Sequence, residues 1–306
     1  MSIRNVFIKH HPHSAGKWIY KGYESAWRHL GYEVHSYTDL AEINNFKEKY
    51  YVMATDGAIR TPSDTLRHAE RAFIFAQPET FPLPWGSHPN FISGCPSFAV
   101  DEINEMKNCV LWSWSDNHDY YTQWKPINTV ELAFDSLSYQ DMRRQDIYDM
   151  CYIGGWANNG FDEKRKIMLE YFKEFKESGL NCGIFINKNI SHDQENFILS
   201  NSKVCINIHD AHHHTTGFDT NERTFKTLGV NGCLVCDSIG RGKETNQIKR
   251  LFPHLPVADT PLEMVEKVRI ELSRPAEEAA KIKEDNRKNI LENHTYIERV
   301  KEMLRL

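Results

Sequence analysis

The residues best equipped for chemistry lie between Asn221 and Asp237, in the stretch N-E-R-T-F-K-T-L-G-V-N-G-C-L-V-C-D. A polar entry, a short amphipathic run, a glycine-marked turn and an apolar strand follow one another there. Just upstream, Ser202-Lys203-Val204-Cys205-Ile206-Asn207-Ile208-His209-Asp210 reads as a second buried strand that runs out into polar residues. Together they form one α/β crossover unit, and such units carry their functional loops at the carboxyl ends of the strands. The helix opening at Asn221 offers free N–H groups and the positive end of a dipole, and Arg223 adds a permanent cation beside them. That combination suits a diphosphate.

Other candidates divide into those worth keeping and those that fail on spacing. Gly154-Gly155-Trp156 follows an apolar run and either lets backbone approach a phosphate closely or makes a plain strand-to-helix turn. His209-Asp210 and the run His212-His213-His214 match no zinc spacing, so no metal site is expected. On the residues alone, the His209 to His214 segment reads as a solvated loop. Cys233 and Cys236 sit three apart on a strand and face opposite sides, which rules out a shared metal or an easy disulfide. Ala15-Gly16-Lys17-Trp18 lacks the first glycine and the hydroxyl residue of a phosphate-binding loop. Where a general base is needed, the candidates at expected strand ends are His11, His13, Asp56 and Glu79, with Asp56 the first choice and Glu79 the second. A simple Asp56-Gly57 turn is the rival reading.

These groups need elements to hold them. Residues 5–8 read as a buried strand, Ile19, Tyr23, Ala26, Trp27 and Leu30 recur at helical spacing up to Gly31, and residues 33–37 read as a second strand. This is a β-α-β opening. Runs at 50–54 and 72–76, then 98–100 and 110–112, continue the alternation, while 81–86 must be loop. Residues 124–145 read as an interdomain linker. Beyond it, strands are expected at about 150–154, 182–186, 203–208, 232–236 and 255–257, with helices at 163–177, 262–272, 276–292 and 296–306. At 306 residues the chain exceeds the usual size of one core, so two domains are expected, 1–135 and 136–306. Apolar runs fall far short of a membrane span, and the start at Met1 reads into a strand rather than a signal peptide. Seven cysteines, scattered mostly through expected strands, fit reduced thiols and a cytoplasmic protein. A net charge of −5 announces no global basic field for nucleic acid.

The order N-x-R-x-F-[E/K]-x-L, a glycine-containing turn and an apolar strand resembles the C-terminal half of a GT-B glycosyltransferase. The likeness is to the CgeB-like, spore-maturation-protein-type group. Asp149 to Trp156 with Arg165 in the next helix, Ser202 to His209, and His294-Thr295-Tyr296-Ile297-Glu298-Arg299 are similar to that group's glycine loop, its central strand and its closing signature. The resemblance covers residues 140–306 and reaches the first half only by architecture. It implies an α/β, GT-B-like fold of two Rossmann-like domains facing a cleft, the first binding the acceptor and the second the donor. It implies a hexosyl- or pentosyltransferase that moves a sugar from a nucleotide sugar, with a UDP-sugar as the default donor, to a hydroxyl acceptor and without a metal or other cofactor. The donor site it implies comprises Gly154, Gly155, Trp156, Lys203, Asn207, His209, Asp210, Gly217, Asn221, Arg223 and Lys226. The default acceptor is a surface glycan or glycoprotein. Hydroxylated pyrimidines in phage-type DNA, or a catalytically inactive sugar-nucleotide-binding module, are the alternatives. One departure stands out: the family pattern has a ribose-binding Glu where this chain has Lys226, which cannot accept from two hydroxyls. Glu222, Asp219 or a backbone carbonyl would have to take over, or Lys226 simply pairs with Glu222 on one helix face.

Overall fold

A computed structural model describes residues 3–10, 14–55, 64–76, 97–119, 121–155, 163–209, 213–214, 217–218, 220–239 and 247–306. The chain divides into two compact units, Met1–Leu132 with Tyr296–Leu306, and Ala133–Thr295.

In the first unit, β1 (Asn5–Lys9), α1 (Ser14–His29), β2 (Glu33–Tyr37), β3 (Tyr50–Thr55), α2 (Asp64–His68), β4 (Arg71–Phe75), α3 (Ser97–Glu105), β5 (Cys109–Ser113) and β6 (Asn128–Thr129) follow in order. The strands form one sheet, β2-β1-β3-β4-β5-β6, with every pairing parallel. Near-continuous apolar strands such as Ala72-Phe73-Ile74-Phe75 are what a parallel sheet covered on both faces requires. Val6, Ile8, Val52, Met53 and Phe73 are fully buried accordingly. The run at 98–100 belongs to α3, where Ala99, Val100 and Ile103 face inward, and 110–112 lies in β5.

The second unit runs β7 (Tyr148–Gly154), α4 (Glu163–Glu177), β8 (Cys182–Ile186), α5 (His192–Ser200), β9 (Ser202–Asn207), α6 (Glu222–Val230), β10 (Leu234–Asp237), α7 (Gln247–Leu251), β11 (Val257–Ala258), α8 (Pro261–Ser273) and α9 (Ala276–Asn293). Its parallel sheet has the order β11-β10-β9-β7-β8. Capping residues set several helix starts. Ser191 accepts from the Gln194 N–H, and Thr260 caps α8 ahead of Pro261 in its first turn.

The unit boundary after Leu132 lies within residues 124–145, and the stretch 124–134 is packed rather than solvated. Trp124, Val130, Leu132, Ala133 and Phe134 are buried. The last helix, α10 (Tyr296–Arg305), returns to the first unit. There the Tyr296 ring fills the space beside Gly22 and lies 4.8 Å from the Tyr23 ring, while Arg299 Nε donates to the Glu131 carbonyl (3.0 Å). The closing H-T-Y-x-x-R residues that the structure places here are therefore packing and tethering groups.

The strand order of both sheets reverses once, between β1 and β3 and between β7 and β9. In open parallel sheets, ligands bind outside the strand carboxyl ends at such a switch point.

Candidate functional site

The second unit's switch point is bridged by one side chain. Arg223 donates from Nε to the Ile153 carbonyl (2.9 Å), at the end of β7, and from Nη1 to Asn207 Oδ1 (2.7 Å), at the end of β9. Its guanidinium lies 4.9 Å from the Tyr152 ring centre, within cation–π range. Two of its five N–H groups are so engaged among the described residues, which leaves the others to a ligand. Gly154 and Gly155 make this possible. A Cβ on Gly154 would stand 2.5 Å from Arg223 Nη2, and one on Gly155 would stand 2.6 Å from Asn187 Oδ1. The glycines give space to neighbouring side chains as well as to any phosphate.

Asn221 builds the start of α6. Its Oδ1 accepts from the Thr224 N–H (3.0 Å), and Thr224 Oγ1 accepts from the Asn221 N–H (3.3 Å). The first-turn N–H groups of Glu222 and Arg223 have no partner within the helix. A cation at this positive helix end opposes the dipole by about 0.3–1 kcal/mol, a cost that an anion bound there would relieve. Glu222 beside it offsets part of the same cost.

Asp237 is the hub that sequence reasoning missed. Sitting fully buried at the end of β10, it accepts from the His209 N–H (2.9 and 3.1 Å), from His209 Nδ1 (2.7 Å) and from His214 Nε2 (3.1 Å). Burial alone would raise its pKa. The two imidazoles outweigh burial and hold it well below the usual carboxylate range. His209 is itself fully buried, held between Asp237 (2.7 Å) and Asn207 (3.3 Å). The available signal was position: an Asp at a strand's carboxyl end, beside a strand that also ends in polar residues.

Lys226 does not present a free ammonium. It is largely buried, 2.6 Å from Glu195 and 3.3 Å from Glu222. The expected i,i+4 pair with Glu222 is present, but within the protein rather than on its surface. Tyr139 OH donates to Glu195 (3.0 Å). Burial would lower the Lys226 pKa, and the two carboxylates raise it instead above the ordinary lysine value. The donor-site expectation for Lys226 is corrected on this geometry to an internal ion pair, because its ammonium already faces two carboxylates. Lys203 is corrected as well. It lies at the amino end of β9, pairing with Asp149 (2.8 Å), four residues of strand, about 13 Å, from Asn207.

The Gly217 N–H donates to the His213 carbonyl (2.9 Å). Trp156 and Asp210 of the expected donor site, the alternative Asp219, and Asp56, Glu79, His11 and His13 of the expected catalytic set all lie outside the described residues. Among the described residues no group of three or more His, Cys, Asp or Glu side chains is arranged to hold a metal ion. Cys233 and Cys236 are buried, and neither is in a disulfide. No described helix is long and apolar enough to cross a membrane.

Comparison with known proteins gives a family and a fold. A family model described as glycosyl transferase-like matches residues 148–305. Solved structures resemble the whole chain at low identity. The trehalose-6-phosphate phosphatase N-terminal domain of Candida albicans has a TM-score of 0.60 at 7% identity, covering 100% of this chain and 96% of that one. A glycosyltransferase from Rickettsia africae gives 0.58 at 10% identity, covering 100% and 98%. HepE of Anabaena, solved in complex with UDP-glucose, gives 0.56 at 10% identity, covering 100% of both. At such identity the likeness speaks for the fold alone. Two parallel-sheet, Rossmann-like α/β domains of GT-B type are its content. No curated protein matches the chain.

Proposed function

Because the chain belongs to the glycosyl transferase-like family, we propose that it transfers a sugar from a nucleotide sugar, held by the second unit, to a hydroxyl acceptor. The observation that carries this reading is Arg223, which spans the β7/β9 switch point at the start of a helix with guanidinium N–H groups to spare. A diphosphate placed there would meet a fixed cation and two outward backbone N–H groups. As the bond to the sugar breaks, negative charge grows on the leaving diphosphate, and these donors need no reorganisation to receive it. The UDP-glucose bound to the Anabaena relative supports a UDP-sugar as the donor to try first. A surface glycan or glycoprotein is the acceptor proposed. For an inverting transfer, Asp56 is proposed as the base, with Glu79 and His13 next. Asp56 directly follows β3, whose end borders the first unit's own switch point.

With cationic and dipolar groups serving the diphosphate, the reaction is proposed to need no metal. Nucleoside diphosphate release from UDP-, GDP- and dTDP-sugars should be measured with and without excess chelator. Turnover of one donor that persists in chelator is expected. Loss with chelator and recovery with manganese or magnesium would overturn metal independence, and no turnover of any donor would overturn the reading itself. Lys203→Ala should leave nucleotide affinity unchanged, since its ammonium sits at the other end of β9. A clear loss of affinity by calorimetry would contradict that placement.

A further inference from the structure

We propose that Asp237 is the positioning residue of the diphosphate site, setting the polarity of a buried hydrogen-bonded chain, Asp237–His209–Asn207–Arg223, that aims the guanidinium. The inference rests on the nucleotide-binding reading above and adds to it a residue that touches neither the ligand nor Arg223.

The direction of every link follows from the two ends. An ionised carboxylate can only accept, and a guanidinium can only donate. From one end, Asp237 Oδ1 lies 2.7 Å from His209 Nδ1, so that nitrogen carries a proton. From the other end, Arg223 Nη1 lies 2.7 Å from Asn207 Oδ1, so the Asn207 amide turns its oxygen toward Arg223. Its Nδ2 then lies 3.3 Å from each of His209 Nε2, Asn221 Oδ1 and Thr224 Oγ1, and a lone pair on Nε2 is the form that keeps a donor from facing a donor there. The two deductions meet at His209 and agree on the neutral Nδ1–H form. Asn221 Nδ2, 3.3 Å from Asn207 Oδ1, favours the same amide orientation.

Burial makes the polarity matter. Asp237, His209 and Asn207 are fully buried, and only Arg223 at the end is partly exposed. No bulk water can substitute for a reversed link, and a donor facing a donor in such surroundings is costly. In Asp237→Asn the side chain can offer an N–H to His209 and release the preference for Nδ1–H. The Nε2–H form would confront Asn207 Nδ2. A flipped amide would relieve that clash only by pointing its NH2 at Arg223, turning the guanidinium away from the switch point.

Two measurements on the full chain test this. In ligand-free protein, 15N chemical shifts should show His209 as the neutral Nδ1–H tautomer, with that preference lost in Asp237→Asn. An Nε2–H tautomer in the wild type would overturn the proposal whatever the protein binds. Second, UDP affinity should be measured for Asp237→Asn, Arg223→Ala and the double variant. Asp237→Asn is expected to lose much of what Arg223→Ala loses, and the double variant to bind no worse than Arg223→Ala alone. Additive losses would mean that Asp237 merely supports the fold, since only residues in one network couple in this way. If Asp237→Asn does not fold, Asn207→Ala breaks the same chain without stranding a charge, and the same non-additivity is required of it. Wild-type protein that folds but binds no UDP or other nucleoside diphosphate would overturn the nucleotide reading and this role with it.

Discussion

Lys226→Met should cost about 3–5 kcal/mol of folding stability at neutral pH, the scale for removing one partner of a buried ion pair. Methionine keeps the stem's volume, so the loss is electrostatic. Glu195 and Glu222 would be left as largely buried carboxylates with no cation between them. The pH dependence should also change sign. In the wild type, burial pushes Glu195 up, but Lys226 and the Tyr139 hydroxyl hold its pKa below the ordinary value. Its contribution is therefore present above the unfolded carboxylate pKa and is lost as pH falls through the lower folded one. Without Lys226 burial dominates, the folded pKa rises above the unfolded one, and the variant should recover relative to wild type as pH falls. Urea midpoints at neutral pH and again in the carboxylate range would check both points. Equal midpoints at both would mean that the triad contributes nothing. Lys226→Glu, which writes the resembling family's residue into this chain, adds a third carboxylate and should be worse.

Gly154→Ala should weaken nucleoside diphosphate binding by about 1.5–3 kcal/mol, the scale for hydrogen bonds to a charged group, while the protein stays folded. The new methyl would overlap Arg223 Nη2 at 2.5 Å and Tyr152 OH at 2.7 Å. The Tyr152 ring is fully buried and holds its place, whereas Arg223 is flexible and partly exposed, so the overlap is relieved mainly by moving the guanidinium. The guanidinium that moves is the one bridging the ends of β7 and β9. Calorimetry showing native affinity in a folded variant would mean that its position does not matter to the ligand. Thermal unfolding on the same samples separates this outcome from simple destabilisation.

Much of the fold was legible because parallel strands covered on both faces announce themselves as short apolar runs, as at Val204-Cys205-Ile206 and Leu234-Val235-Cys236. The start of α6 was legible too, since Asn221 is a good cap and sits one turn before Phe225. Arg223 could be placed at a helix end from the same pattern. What the sequence hid was long-range. Asp237 meets partners 28 and 23 residues away, and nothing local marks His209 and His214 as converging on it. Lys226 and Glu222 were a visible i,i+4 pair, but a lysine at that spacing is usually solvated. Only the approach of Glu195, from another helix, makes the pair an interior one. The return of Tyr296–Arg305 to the first unit is likewise a matter of packing, with the ring of Tyr296 against Gly22. A three-residue apolar run such as Phe98-Ala99-Val100 carries no period and cannot tell helix from strand.

The central claim is that the second unit holds a nucleoside diphosphate on Arg223 at its sheet's switch point. Calorimetric titration of the full chain with UDP, beside Arg223→Ala, tests it most directly. The wild type should show saturable single-site binding, and the variant a loss of about 10- to 150-fold, corresponding to one charged hydrogen-bonding group. Equal affinity in the two proteins, or no binding of UDP, GDP or dTDP by the folded wild type, would contradict it.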